Sequence, residues 1–105
     1  LIQKGADVTS KENNGWSSLH IASAEGHLDV VEYLVNNGAN IESKDKNGWN
    51  SLHLAIEEGH LDVVEYLVDN GADIESKTNY GLNSLHLASY NGYLDIVQYL
   101  VKKKA

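Results

Sequence analysis

Cysteine, proline, methionine and arginine are all absent from the 105 residues, and each absence removes a class of explanation. Without cysteine there is no disulfide framework, thiolate metal site or thiol nucleophile, so stability must come from packing. Eight basic residues, all lysine, stand against fifteen acids, for a net charge of −7. That balance argues against nucleic acid as a partner, because phosphate binding needs a clustered basic face. The one basic run, Lys102-Lys103-Lys104, reads as a solvated tail. No apolar run approaches the roughly 20 residues that cross a bilayer, so no membrane partner is expected. The start, Leu1-Ile2-Gln3-Lys4, has neither the basic segment nor the long apolar stretch of a targeting signal. With 42% hydrophobic residues and no proline, a soluble helical protein is the expectation.

What is present is a 33-residue period. Residues 14–46, NGWSSLHIASAEGHLDVVEYLVNNGANIESKDK, match 47–79, NGWNSLHLAIEEGHLDVVEYLVDNGADIESKTN, at 25 of 33 positions. Residues 80–105 form a third, truncated and more divergent copy, and residues 1–13 align with 34–46. The expected organisation is therefore one solenoid: a C-terminal remnant of a preceding repeat (1–13), then repeats at 14–46, 47–79 and 80–105. The chain reads as a fragment of a longer array, and the missing targeting signal accordingly says little.

Local signals specify two helices and a turn per copy. Asn14-Gly15 and Asn47-Gly48 are turn dipeptides. Ser17, Asn50 and Asn83 stand at N-cap positions, opening short helices that should run to about Glu25, Glu58 and Asn91. Gly26, Gly59 and Gly92 end them. Val30, Val31, Leu34 and Val35 form one stripe of a second helix, repeated at Val63, Val64, Leu67 and Val68. Asp29, Asp62 and Asp95 fall in its first turn, where the helix dipole favours negative charge, and Gly38 and Gly71 stop it. A single helix pair cannot bury its apolar face, so neighbours must stack. Leu19, Ala22 and Leu28, with their equivalents 33 residues on, are the expected core.

The motifs Ser-Leu-His-Ile-Ala (18–22), Gly-His-Leu-Asp-Val-Val (26–31) and Asn-Gly-Ala-Asn-Ile (37–41), recurring in register over the whole chain, resemble the ankyrin repeat. The family's Thr-Pro-Leu-His is replaced by Ser17-Ser18-Leu19-His20 and by Asn50-Ser51-Leu52-His53 and Asn83-Ser84-Leu85-His86, so each helix start should be capped but less rigid. The resemblance implies an all-α solenoid of helix-turn-helix units with hairpin-like loops projecting as fingers. It also implies a scaffold that binds another protein through finger tips and the concave side of the first helices, without enzymatic activity or cofactor, and inside cells.

Three chemistries compete with that reading and fall short. His20, His53 and His86 recur at the full period, with His27 and His60 seven positions after the first two, so they run along the stack and not around one metal. The resemblance assigns them to hydrogen bonds at helix starts and turns. Ser17 and Ser18 near His20 lack a strained nucleophile elbow. Glu57, Glu58, Asp62, Glu65 and Asp69 are spread over helical surface.

The aromatics carry the stronger signal. Trp16 and Trp49 follow the finger-tip glycines, Leu82 takes the third place, Tyr80 lies just before it, and Tyr90 and Asn91 replace Glu57 and Glu58. Trp16, Trp49, Tyr80, Leu82 and Tyr90 are thus a candidate binding stripe. The alternative is that both tryptophans pack on neighbouring fingers and stiffen them. Lys11, Lys44, Lys46 and Lys77 run beside the stripe, and Asn13, Asn47, Asn79, Asn91, Glu25, Glu57 and Glu58 complete the partner-facing candidates. Tyr33, Tyr66 and Tyr99 should pack in part, with hydroxyls reaching water. A rival reading makes the array a structural spacer or spring, or a scaffold designed from consensus, with no specific partner here. The chain is expected to be monomeric, with end-to-end association through exposed Leu1, Ile2 and the outer face of the third helix pair.

Overall fold

The computed structural model describes residues 5–104. Leu1 and Ile2, expected to be exposed, lie outside the described residues. Among the described residues six helices run in order: α1 (Ser18–Glu25), α2 (Leu28–Asn36), α3 (Ser51–Glu57), α4 (Leu61–Asp69), α5 (Ser84–Asn91) and α6 (Leu94–Lys104). Odd-numbered helices open each copy and even-numbered ones close it.

Each odd helix starts at the cap that the sequence predicts, and the histidine three residues on completes it. At α3 the His53 amide donates to Asn50 Oδ1 at 2.9 Å, and the Asn50 amide donates back to His53 Nδ1 at 3.1 Å. Asn83 and His86 repeat the exchange at 3.0 Å each way, and Ser17 and His20 do so at 3.3 and 2.9 Å. Imidazole thus does the work that glutamate or glutamine does in the usual reciprocal box, satisfying two otherwise orphaned amides. At the other end Gly26 and Gly92 are left-handed caps, at φ 76° and 70°. α3 stops one residue earlier than expected, on Glu58, and Gly59 takes the positive φ next to it.

The even helices begin on His27 and His60, neither of which caps through its side chain. Asp29, Asp62 and Asp95 instead accept from the amide that follows each, at 2.8, 2.7 and 2.8 Å, where the dipole favours their charge. Asn37 and Asn70 close α2 and α4 by donating side-chain amides to the carbonyls of Tyr33 and Tyr66, both at 2.8 Å, one residue before the glycines expected to do it.

Stacking then buries the stripes. α1 packs on α3 and α3 on α5, while α2 meets α4 and α4 meets α6, giving a body of 45 × 25 × 21 Å. The buried core runs unbroken through Leu19, Ala22, Val31, Leu52, Ala55, Ile56, Val63, Val64, Leu67, Leu87, Ala88, Ile96 and Leu100. Burying each large aliphatic stabilises by about 1.5–3 kcal/mol. Leu28 and Leu61 are half-buried, and Leu85 and Leu94, the third-copy equivalents of Leu19 and Leu28, are exposed, because nothing in the described chain packs beyond them.

Polar contacts tie the junctions as well. His60 Nε2 lies 3.0 Å from the Ala24 carbonyl, and the Tyr93 hydroxyl donates to the Glu57 carbonyl at 3.2 Å. Each satisfies a carbonyl in the last turn of the preceding repeat's first helix. Tyr99 donates to Asp69 at 3.2 Å, and Lys103 pairs with the same carboxylate at 3.1 Å. Burial, then the Asp69 charge, push the Tyr99 phenol up to about 12. Tyr66 and Tyr99 pack in part as expected, but Tyr33 is exposed, since no preceding second helix covers it among the described residues.

Gly26 shows how tight a junction is: a Cβ there would sit 2.5 Å from His60 Nδ1, whereas one on Gly92 would meet nothing within 4 Å. Both carry the left-handed φ that costs a non-glycine residue about 1–2 kcal/mol. Gly26→Ala should therefore lower the urea midpoint clearly more than Gly92→Ala. Equal losses in parallel denaturation curves would show that the His60 packing contributes nothing measurable.

Candidate protein-binding surface

The loops between copies are hairpins pinched by a backbone bond at the neck and another from the tip glycine, on which each turns. Glu12, Asp45 and Thr78 amides donate to the carbonyls of Trp16, Trp49 and Leu82, at 2.8, 2.9 and 2.9 Å. Gly15, Gly48 and Gly81 turn the tips at φ 87°, 79° and 80°. Successive fingers are joined edge to edge: the Lys46 amide donates to the Asn14 carbonyl at 3.2 Å, and the Asn79 amide to the Asn47 carbonyl at 3.0 Å. Asn79 Nδ2 adds a bond to the Lys46 carbonyl at 3.1 Å.

Asp45 is the hub of the middle finger, a role that sequence reasoning missed. It accepts from the amides of Asn47 and Trp49 at 2.8 and 2.9 Å, and from the Trp16 indole of the neighbouring finger at 2.9 Å. An acid two residues before Asn47-Gly48 is the signal that could have found it, because aspartate commonly closes such turns. Thr78 replaces it in the third finger, accepting from Tyr80 and Leu82 at 3.3 Å.

The tryptophans sit deeper than a free stripe requires. Trp16 and Trp49 are half-buried, the first stacked on His20 with ring centroids 6.3 Å apart, the second edge-on to His53 at 6.0 Å. That geometry favours the stiffening alternative and leaves only their outer edges to a partner. Leu82 is likewise half-buried. Tyr80 and Tyr90, by contrast, are 83% and 80% exposed.

The lysines form a ladder. Lys11 Nζ donates to the Lys44 carbonyl at 3.3 Å and Lys44 Nζ to the Lys77 carbonyl at 3.1 Å, so two of these ammonium groups brace adjacent fingers. Lys46, Lys77, Asn13, Asn47, Asn79, Asn91, Glu25 and Glu58 are exposed, and Glu57 is half-buried. The structure brings Asn91 and Glu57 together across a junction, with Asn91 Nδ2 donating to Glu57 Oε1 at 2.9 Å.

The chain's sequence matches the family model described as Ankyrin repeats (3 copies) over residues 1–78 and again over 46–105. The chain belongs to the ankyrin repeat family. Ankyrin repeats are in general protein-interaction modules. A 35-residue stretch is 49% identical to the Notch-regulated ankyrin repeat-containing proteins of Homo sapiens and Xenopus tropicalis, over 33% of this chain and 31% of each relative. Protein phosphatase 1 regulatory subunit 27 of Mus musculus is 39% identical over 36 residues, 34% of this chain and 23% of that one. The matches thus span less than a third of the length of these relatives.

Within the ankyrin frame the recurrent histidines have defined work. His20 and His53 are fully buried, and burial pushes both imidazoles below the ordinary value of 6.5. His53 Nε2 lies 2.9 Å from the Ser76 carbonyl, so the neutral ring donates there while Nδ1 accepts the cap amide. His20 Nε2 makes no hydrogen bond of full geometry, but the Trp49 and Ser43 backbones bear on the ring and offset part of the lowering. Among the described residues no three His, Cys, Asp or Glu side chains converge as a metal set would.

Protonating Nδ1 would remove the acceptor that closes each box. Because the folded values are lowered, the unfolded chain binds protons first as pH falls, and stability present above 6.5 is lost below it. Urea unfolding between about pH 7.5 and about pH 5.5 should show a falling midpoint, with a shallower slope when glutamine replaces both His20 and His53, since glutamine also serves at this position. An unchanged slope would assign the effect to other groups.

Proposed function

We propose that the chain is a non-enzymatic ankyrin module that binds a partner protein across its finger tips and the concave side of its first helices, with Tyr80 and Tyr90 as anchors. The carrying observation is that, among the described residues, these two aromatics are the most exposed large apolar side chains, at 83% and 80%, while the tryptophans of the first two fingers are packed down. Tyrosine supplies a broad contact area and one polar handle at little entropic cost, which suits an anchor. Around them the edges of Trp16 and Trp49 and Leu82 add apolar area, and the finger asparagines Asn13, Asn47 and Asn79, Asn91, and the carboxylates of Glu25, Glu57 and Glu58 supply a polar rim. Lys46 and Lys77 add positive charge beside the acids, so a partner of mixed charge with exposed apolar groups fits best.

A regulatory subunit among the relatives supports a protein partner. No helix among the described residues is long and apolar enough to cross a membrane. The spacer reading draws on a different observation, the edge-to-edge bonds and lysine ladder that brace the fingers into a stiff row.

The two readings part in one experiment. Immobilised chain, its Tyr80→Ala, Tyr90→Ala double variant and a Lys102→Ala control are each exposed to the same cell extract. Loss of an anchor aromatic commonly costs about 2 kcal/mol, roughly 30-fold in affinity. Partners held by the parent and by the Lys102 variant should be lost from the double variant. Equal recovery from all three would remove the tyrosines as anchors, and no recovery above blank resin would favour the spacer.

A further inference from the structure

The loops that meet below the first and second fingers follow the same 33-residue register but are not filled alike. At the second finger Glu42 reaches across to the next repeat, its Oε2 accepting from the Asp73 amide at 3.0 Å. Asn50 Nδ2 reaches Ser76 Oγ at 3.5 Å, and His53 Nε2 lies 2.9 Å from the Ser76 carbonyl. The counterparts at the first finger are shorter: Thr9 stands where Glu42 does, Ser17 where Asn50 does and Val8 where Ile41 does. The Thr9 hydroxyl turns back to Asp7 Oδ1 at 2.7 Å, and the Ser17 hydroxyl stays with His20 Nδ1 at 2.9 Å. Neither crosses to the next repeat.

Those shorter side chains leave a cavity of about 230 Å³ at the base of the first finger, where Lys11 and Ser17 pair across the stem. Its walls are Val8, Thr9, Lys11 and Ser17 on one side and Asn40 and Ser43 on the other. The space is several times the roughly 30 Å³ that one water takes in the liquid. Asn40 is the counterpart of Asp73, and among the described residues its amide has no acceptor, whereas the Asp73 amide is held by Glu42. Lys11 spends one ammonium hydrogen on the Lys44 carbonyl at 3.3 Å and keeps two others. An unmet amide and an ammonium group on one small cavity suit a carboxylate, whose bonds to both are charge-assisted.

We propose that this cavity binds an acidic side chain of a partner protein, an aspartate or glutamate whose carboxylate takes the place that the Glu42 carboxylate takes one repeat later. The molecule itself specifies the occupant, because Glu42 shows which group satisfies the amide at this point of the register. The Asn40 amide donates to the incoming carboxylate and Lys11 supplies the opposite charge. Asp7, the acid nearest Thr9 in sequence, is occupied by the Thr9 amide and hydroxyl at 2.9 and 2.7 Å and is not among the lining residues. The inference rests on the proposed function for the source of the carboxylate alone. Tyr80 and Tyr90 line no part of the cavity, so it is a second point of contact, separate from the anchors.

Two blocked tripeptides, acetyl-Gly-Glu-Gly-amide and acetyl-Gly-Gln-Gly-amide, separate a side-chain carboxylate from its neutral isostere when titrated to about 50 mM into the nitrogen-15-labelled chain. The Asn40 amide resonance should move saturably with the glutamate peptide. The glutamine peptide should bind about tenfold more weakly, since a charge-assisted bond is roughly twice as strong as a neutral one. Thr9→Glu supplies the carboxylate from the chain itself, so the Asn40 resonance should be displaced without peptide and should no longer respond to it. Glu42→Thr with Asn50→Ser should open the same site one repeat later, adding the Asp73 amide to those that respond. Circular dichroism matching the parent establishes that this variant is folded; if it is not, Glu42→Thr alone carries the test. The Tyr80→Ala, Tyr90→Ala variant should titrate as the parent does, so peptide binding and partner capture succeed or fail separately. An Asn40 resonance that the glutamate peptide leaves in place, equal responses to both peptides, or undiminished binding by Thr9→Glu overturns the proposal. So does an Asp73 amide that stays silent in the folded, opened variant.

Discussion

A helix of seven to eleven residues is marginal alone in water, since the cost of nucleating it is not recovered over so few turns. Every helix among the described residues is of that length, so each exists because a neighbour covers its apolar side. The caps, the left-handed glycines and the finger bonds all serve that dependence. Reciprocal boxes of cap and histidine hold the first turn of each odd helix in place, and Gly26 leaves the room into which the His60 ring of the next repeat fits.

The same dependence explains what could be read in advance. A pattern written three times over makes period, helix starts and glycine stops visible without coordinates, and Ser17, Asn50 and Asn83 all cap where they were expected to. Departures fall where the surroundings of equivalent residues differ. Leu85 and Leu94 carry core residue types but lie on the side that no further repeat covers among the described residues, a matter of surroundings that residue identity does not show. Likewise Tyr33, Tyr66 and Tyr99 look equivalent in sequence, yet Tyr33 is exposed while Tyr66 and Tyr99 are half-buried.

The candidate surface was legible in outline and less so in depth. That finger aromatics should matter follows from their place after the turn glycines, but how far each is drawn inward depends on what lies beneath. Trp16 and Trp49 each have an imidazole of the underlying helix to rest on, and Trp16 has Asp45 of the next finger to hold its indole. Tyr80 precedes its glycine and so stands at the tip itself, in a finger where threonine takes the place of Asp45. The lysines changed role for a similar reason: a flexible four-carbon stem reaches a carbonyl of the adjoining finger, which residue counting does not reveal.

Side-chain bonds between repeats such as His60 to Ala24 and Tyr93 to Glu57 span 36 residues, little more than one period. Topology of this kind is dominated by local contacts, so the search for the native arrangement resembles growth along a line more than collapse of a ball. Ordering can begin at any junction and spread outward. It also means that one whole period can be gained or lost without rewiring the remainder, and the near-identity of residues 14–46 and 47–79 is the trace such an event would leave.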